Sequence, residues 1–168
     1  MATPFHVELV TPERVLYSGE VSEASMRTDG GEIAFLAHHE DFVGGAGITV
    51  VRLTTEGGAD EGAVVRVAVH GGFVHFDQDA NALEILAGVA ELGSGVDVER
   101  ARRALERAES AGASDHGTAP STPAGQDGAQ RAAEHGGATM LAMLAPDDPA
   151  AAAQRARARL DAAGATAR

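Results

Sequence analysis

The chain has 168 residues, a formal net charge of −12 and 44% hydrophobic residues, which suits a globular protein of one domain with an appendage or of two small domains. Such acidity argues against nucleic acid as a partner and against direct docking on anionic lipid, because binding to phosphate groups depends on clustered basic side chains. There is no cysteine and every basic residue is an arginine, which excludes thiolate catalysis, a Walker-type lysine and a Schiff-base lysine.

The N-terminal segment carries acidic residues where a signal peptide would need an uninterrupted apolar run. Glu8 and Glu13 interrupt it, and no stretch of the sequence approaches the length of a membrane span. We therefore expect a cytoplasmic chain with no direct membrane span, whose association with a membrane would come through a partner.

The first half of the chain, from Phe5 to about Glu91, consists of short apolar runs separated by turn signals. Their spacing and β-branched content predict an all-β sandwich or flattened barrel, because helices of useful length do not fit between the turns. Residues 55–62 and 78–82 have the composition of hairpin loops. About seven strands are predicted, in the runs FHVEL, VLYS, GEIAFL, ITVVRL, VVRVAV, FVHF and LEIL.

A pair of glycines interrupts the apolar pattern of the run RVAVHGGFVHF. Large apolar residues stand at odd positions up to the glycines and at even positions from Val74 onward. Side chains alternate across a strand, so this change of phase predicts a bulge or a tight turn at Gly71 and Gly72, which supply the necessary freedom in φ.

Beyond Gly95 the apolar residues recur three or four positions apart, which predicts a helix over about residues 97–111. Asp97 is placed as its N-cap, and Gly112 as the residue that ends it.

A second helix is predicted over about residues 149–163, with Asp148 as its N-cap and Pro149 in its first position. The intervening residues 112–128 are rich in Gly, Ser, Thr and Pro and predict a flexible linker. The run TMLAMLA at 139–145 fits a short apolar turn of helix.

These patterns divide the chain into a β domain over residues 1–92 and a helical tail over residues 93–168. The β domain holds four arginines against 15 acidic residues, a net charge of −11, while the tail is nearly neutral. The inner face of the predicted helices is mostly alanine with Leu105 and Leu160, so its docking should be worth only a few kcal/mol. A ligand of modest energy could then displace the tail, although a compositional bias toward alanine explains the same pattern.

Four adjacent residues, His38, His39, Glu40 and Asp41, are all competent metal ligands. Neighbouring residues on an extended segment point in opposite directions, so the pattern favours a solvated loop over a metal site. The alternative function is a free-standing jelly-roll binding protein or a cupin-like metalloprotein. Its candidate ligands are His6, His38, His39, His70 and His75.

Five strings stand in a characteristic order and spacing: FHVELVTPERVLYSGEV from Phe5, GGE at 30–32, GITVVRL at 47–53, VHGGF at 69–73 and VDVERA at 96–101. Together they resemble the epsilon subunits of the F-type proton-translocating ATP synthase. The similarity covers most of residues 5–111, and the opening string with the glycine pair is its most specific part.

This resemblance implies a sandwich of about ten strands in the central stalk, followed by a helical hairpin-like tail. The implied partners are the gamma subunit, the c-subunit ring and the alpha/beta catalytic ring. The subunit would be non-catalytic, would couple proton-driven rotation to ATP synthesis, and would inhibit ATP hydrolysis when its tail extends. It would lie on the cytoplasmic face of the bacterial plasma membrane, held there peripherally by the complex, with no cofactor beyond a regulatory ATP.

In some members of this family the folded tail binds ATP, and the resemblance can be followed to individual positions. The implied nucleotide-binding residues are Glu91, Asp97, Arg100, Arg107, Arg155 and Arg159. The guanidinium group of an arginine can donate two hydrogen bonds to the oxygens of one phosphate, and carboxylates accept hydrogen bonds from adenine or ribose. Asp97 also fits a simple N-cap, and Arg100 a solvated helix residue.

The resemblance also implies contacts with the rotor. The candidates are Glu32, His38, His39, Gly71 and Gly72. One departure is the loop LAHHEDF, in which Ala37, His38 and Asp41 stand where the family tends to have Pro, Gly and Pro. The linker is also much longer than the family's usual turn, which either lowers the effective concentration of the second helix or extends its reach.

Overall fold

The structure is a computed structural model and describes residues 3–56, 62–114 and 148–165. Most of the predicted linker, from residue 115 onward, and the run at 139–145 lie outside the described residues. Within the described ranges the chain forms a closed β-barrel followed by two helices.

Strands form where the sequence is rich in β-branched and aromatic residues. The described residues form seven strands, where the residue pattern predicted about seven and the resemblance implied about ten. Three of the strands are 14 residues long, enough to take part in both layers of a flattened barrel. The strands are β1 (Phe5–Val10), β2 (Val15–Thr28), β3 (Gly31–Phe35), β4 (Phe42–Thr55), β5 (Val64–Asp77), β6 (Ala82–Ala87) and β7 (Ala90–Leu92).

The sheet closes on itself. Its strand order is β1-β6-β5-β4-β2, and β1 also pairs with β2, while β3 extends the sheet beside β2 and β7 pairs with β5. The pair β1–β6 is parallel and the other pairs are antiparallel. Closure removes most of the free sheet edge that would otherwise invite aggregation. The predicted sandwich or flattened barrel is confirmed, as is the hairpin loop at 78–82 between β5 and β6.

The glycine pair lies inside one continuous strand, so the predicted bulge or tight turn is wrong. The register between β4 and β5 does not shift from Phe42↔Phe76 to Thr54↔Val64. Gly71 has a φ of +95°, which turns the strand without an added residue. The face that points inward changes phase as predicted, because Val69 and Val74 are both fully buried.

The barrel interior is a single apolar cluster with an aromatic centre. Phe35 and Phe76 are fully buried and stack with ring planes 4° apart and centroids 5.8 Å apart. Phe5 lies against Phe76 at 5.6 Å. Aromatic pairs of this kind add to the stabilisation that comes from burial alone.

The first helix, α1, runs over Val98–Ser114 and the second, α2, over Pro149–Ala162. Asp97 Oδ1 accepts a hydrogen bond from the Arg100 amide at 2.9 Å, as an N-cap does. Gly112 does not end α1, because it keeps a right-handed backbone and the helix continues to Ser114. Among the described residues no helix is long and apolar enough to cross a membrane.

The second helix begins and ends with recognisable caps. Asp148 Oδ1 accepts a hydrogen bond from the Ala150 amide at 2.9 Å, and Pro149 takes the first helical position. At the other end Gly164 adopts a φ of +69°, and the Ala165 amide donates to the Leu160 carbonyl at 2.8 Å. This is the Schellman arrangement, which satisfies carbonyls that the helix leaves free.

The two helices pack on each other through alanine and leucine, as the sequence predicted. Ala101, Leu105 and Ala108 of α1 meet a buried strip on α2 formed by Ala153, Ala156 and Leu160. The opposite side of α2 rests on β4 and β5, so α2 is the layer between α1 and the barrel. The position of α1 therefore depends on how firmly α2 is held.

Candidate functional site

One candidate site lies under α2, where the helix meets the barrel. Ala158 and Ala162 of α2 pack on Val50 of β4 and Ala68 of β5. Each buried methyl contributes about 1 kcal/mol or less. This apolar contact alone is therefore a weak attachment.

A glycine fixes how closely α2 approaches the barrel. Gly93 opens the 3-10 turn Gly93–Gly95 that follows β7, and a Cβ placed on it would overlap the carbonyl oxygen of Ala162. The same Cβ would lie 3.2 Å from the carbonyl oxygen of Arg66. The end of α2 thus lies directly against the backbone of Gly93. Any side chain at this position would require the helix to move away.

Among the residues that the structure describes, three ion pairs hold α2 in place. Arg159 Nε lies 2.9 Å from Glu91 Oε2, with each side chain about one third exposed, at 34% and 35%. Arg52 Nη2 lies 2.9 Å from Asp161 Oδ2, and Arg157 Nη2 lies 2.8 Å from Glu109 Oε1 on α1. The last two pairs are more exposed and contribute little each, whereas the Glu91 pair is the better shielded of the three.

A histidine lies beneath the same helix. The Nε2 atom of His70 is buried and has no hydrogen-bond partner among the described residues. Burial, together with the charges of Arg159 and Arg155, lowers the pKa of His70 to about 4. We call His70, Glu91, Arg155 and Arg159 the polar cluster.

The polar cluster contains three of the six residues that the resemblance assigned to nucleotide binding. Glu91 and Arg159 are in contact, and Arg155 is near enough for its charge to act on His70. Asp97 caps α1, while Arg100 and Arg107 are exposed on that helix. The sequence reasoning missed His70 and Gly93 as parts of this site, because nothing local distinguishes them from other strand and turn residues.

Beside the polar cluster, α2 and strands β2, β3 and β4 enclose a cleft of about 520 Å³. Arg27, Arg52 and Arg157 line it together with Glu32 and Asp161. Its charges are largely matched, since Arg52 pairs with Asp161 across the cleft.

The five rotor-contact candidates lie on different elements. Glu32 is exposed on β3, and the glycine pair lies within β5. In the loop before β4, His38 has a φ of +59° and its amide donates to Asn81 Oδ1 at 2.6 Å. The His39 ring packs on Phe35 with centroids 4.9 Å apart, so its placement serves the aromatic core.

The histidines of the metalloprotein alternative do not converge. His6 lies 3.0 Å from Glu20 and His75 lies 3.6 Å from Glu84, on separate exposed pairs. His70 is under α2. Among residues 3–56, 62–114 and 148–165, no group of three or more His, Asp or Glu side chains is arranged to hold a metal ion. The structure therefore does not favour this alternative.

On the outer face of the barrel, away from α2, apolar side chains cross four strands. Phe73 pairs with Leu86, Leu86 with Val10 and Val10 with Val15, and cross-strand partners share a face. Phe73, Leu86 and Val15 are 47%, 51% and 50% exposed. We call these four residues the outer stripe. The neighbouring row carries Glu8 and Glu84, paired across β1 and β6.

Comparison with known proteins agrees with this architecture. The model of the family described as "ATP synthase, Delta/Epsilon chain, beta-sandwich domain" matches residues 4–93. In a solved structure of the Euglena gracilis mitochondrial ATP synthase (OSCP/F1/c-ring, rotational state 1), one chain aligns with a TM-score of 0.56 at 24% identity over 66% of each chain, a likeness of fold.

Curated relatives give closer sequence matches. The ATP synthase epsilon chain of Streptomyces griseus subsp. griseus is 43% identical over 110 residues, which are 66% of this chain and 84% of the relative. The ATP synthase epsilon chain of Brevibacillus brevis is 44% identical over 103 residues, which are 61% of this chain and 74% of the relative. The chain therefore belongs to the family of ATP synthase epsilon chains.

Proposed function

We propose that this chain is a non-catalytic subunit of the central stalk of an F-type ATP synthase, where it couples proton-driven rotation of the c ring to ATP synthesis. The observation that carries the proposal is the outer stripe, on a barrel that belongs to the epsilon-chain family. An exposed apolar row of this kind marks a surface that a partner covers. As a member of this family, the chain is a subunit of an enzyme complex.

The gamma subunit is the partner proposed for the outer stripe, and the c ring for the loop that carries His38 and His39. The acidic row at Glu8 and Glu84 favours a partner segment whose apolar face is flanked by basic side chains. The complex would hold the chain peripherally at the cytoplasmic face of a bacterial plasma membrane.

The stripe can be tested by co-purification. Tagged full-length chain with Phe73→Asp or Leu86→Asp is expected to recover about tenfold less gamma subunit from detergent-solubilised membranes of its source, because a charge would be buried at the contact. Val64→Asp is the matched control, since Val64 is also on β5, is 44% exposed and lies outside the stripe. Equal recovery with Phe73→Asp, or equal loss with Val64→Asp, would contradict the stripe as the gamma contact.

The tail is proposed to be the regulatory part. Its attachment rests on alanine methyls, a glycine contact and partly exposed ion pairs. A tail held this weakly can leave the barrel and extend toward the alpha/beta catalytic ring, where Arg155, Arg157 and Arg159 would meet acidic surface and oppose ATP hydrolysis.

Regulatory ATP is proposed to bind the docked tail at the polar cluster. Arg155→Gln and Arg159→Gln are each expected to weaken MgATP binding about tenfold in calorimetric titration of the full-length chain. Each substitution removes a guanidinium group that can donate two hydrogen bonds to a phosphate. Arg102→Gln is the control, since Arg102 is exposed on α1 and pairs with Glu99. No saturable binding to the wild type, or an equal loss with Arg102→Gln, would contradict the proposal.

A further inference from the structure

We propose that His70 makes the attachment of the tail sensitive to pH, so that protonation of its imidazole releases α2 from the barrel. This inference rests on the proposed movement of the tail. It adds a proton as the signal that starts the movement, and it assigns the sensing to one residue of the barrel.

The geometry under α2 gives His70 two different environments. With the tail docked, Nε2 is buried without a hydrogen-bond partner among the described residues. With the tail away, the same atom would face water. A charged imidazole would have no acceptor for Nε2 among the described residues in the first state, and a full hydration shell in the second.

The charges around His70 oppose its protonation in the docked state. From α2 it faces Arg155 and Arg159, both half-buried. β7 contributes Glu91, whose carboxylate is already engaged by Arg159 at 2.9 Å. On β4 its paired residue is the apolar Ile48, and its amide donates to the Val89 carbonyl at 2.9 Å.

The direction of the pH effect follows from linkage. The pKa of His70 is about 4 in the docked state, against an ordinary value of 6.5. The docking equilibrium constant is therefore highest above pH 6.5 and decreases as the pH falls from there toward 4. Between pH 7.5 and pH 5.5 the docking equilibrium constant should fall about tenfold.

The test measures the position of α2 directly. The chain has no cysteine, so spin labels can be attached at Glu23→Cys on β2 and Ala150→Cys on α2, both exposed sites. As the pH falls from 7.5 to 5.5, the full-length chain is expected to gain a population with a longer distance between the labels. His70→Gln should remove this response, whereas His75→Gln, an exposed histidine on the same strand, should keep it.

A second measurement does not depend on the substitution at His70. In proton NMR of the unsubstituted chain, the apparent pKa of the His70 imidazole is expected to lie below its ordinary value of 6.5. In the Gly93→Ala chain, in which the helix is detached, it is expected to return toward that ordinary value. An unchanged response in His70→Gln, or ordinary titration of His70 in the docked chain, would overturn the inference.

The outcomes also separate this inference from the proposed function. If Gly93→Ala lengthens the distance between the labels but the wild type does not respond to pH, the tail moves and His70 is not its sensor. If neither change moves the labels, the proposed movement of the tail is itself wrong.

Discussion

Replacement of Gly93 by alanine is expected to detach α2 from the barrel. The new Cβ would overlap the Ala162 carbonyl oxygen and lie 2.7 Å from its carbon, in backbone that cannot move aside while the helix stays docked. Overpacking of this kind costs about 1–3 kcal/mol, which is comparable with the whole docking energy. The docking equilibrium constant should therefore fall by a factor of about 5 to 150.

The labels on Glu23→Cys and Ala150→Cys provide the measurement, with thermal unfolding of the barrel as a check that it stays folded. Gly95→Ala is the matched control, because Gly95 stands two residues further on and a Cβ there would meet nothing within 4 Å. A Gly93→Ala chain with the wild-type distance distribution would mean that the contact between Gly93 and Ala162 does not limit docking.

Phe76→Ala is expected to destabilise the barrel by about 3–5 kcal/mol. Phe76 is fully buried and touches the rings of Phe5, Phe35 and His39 at the centre of the core. Its removal takes away the burial of a large ring and leaves a cavity among side chains that cannot close it completely.

Phe73→Ala is the natural comparison, since it removes the same side chain three residues earlier on β5. Phe73 is 47% exposed, and its loss should cost about 1 kcal/mol or less. The free energy of unfolding from urea titration of both variants measures the difference. Similar costs for the two would contradict the assignment of Phe76 to the core and Phe73 to the outer face.

The sequence predicted those parts of the fold that depend on local pattern. The barrel follows from short β-branched runs, and both helices follow from apolar spacing with acidic caps at Asp97 and Asp148. Gly71 and Gly72 marked the change of the inward face, but the mechanism predicted for it was wrong. A backbone bend and a bulge satisfy the same apolar pattern, and only the register between β4 and β5 distinguishes them.

The candidate site was harder to predict because it depends on contacts between distant segments. The pair Glu91 and Arg159 joins residues 68 positions apart, and only the resemblance selected both. The low pKa of His70 results from burial and from two arginines of a helix that begins at Pro149. Gly93 is contacted by Ala162, at the far end of the same helix. No local signal marks a strand histidine or a turn glycine as the surface on which a later helix will rest.

The proposed role of this chain as a stalk subunit of an ATP synthase predicts which proteins it binds. The most direct test is affinity purification of tagged, full-length wild-type chain from detergent-solubilised membranes of its source, with the recovered proteins identified by mass spectrometry. We expect recovery of the gamma subunit and the c ring in amounts comparable with the chain itself. Efficient recovery of the folded chain without either would contradict the proposed function.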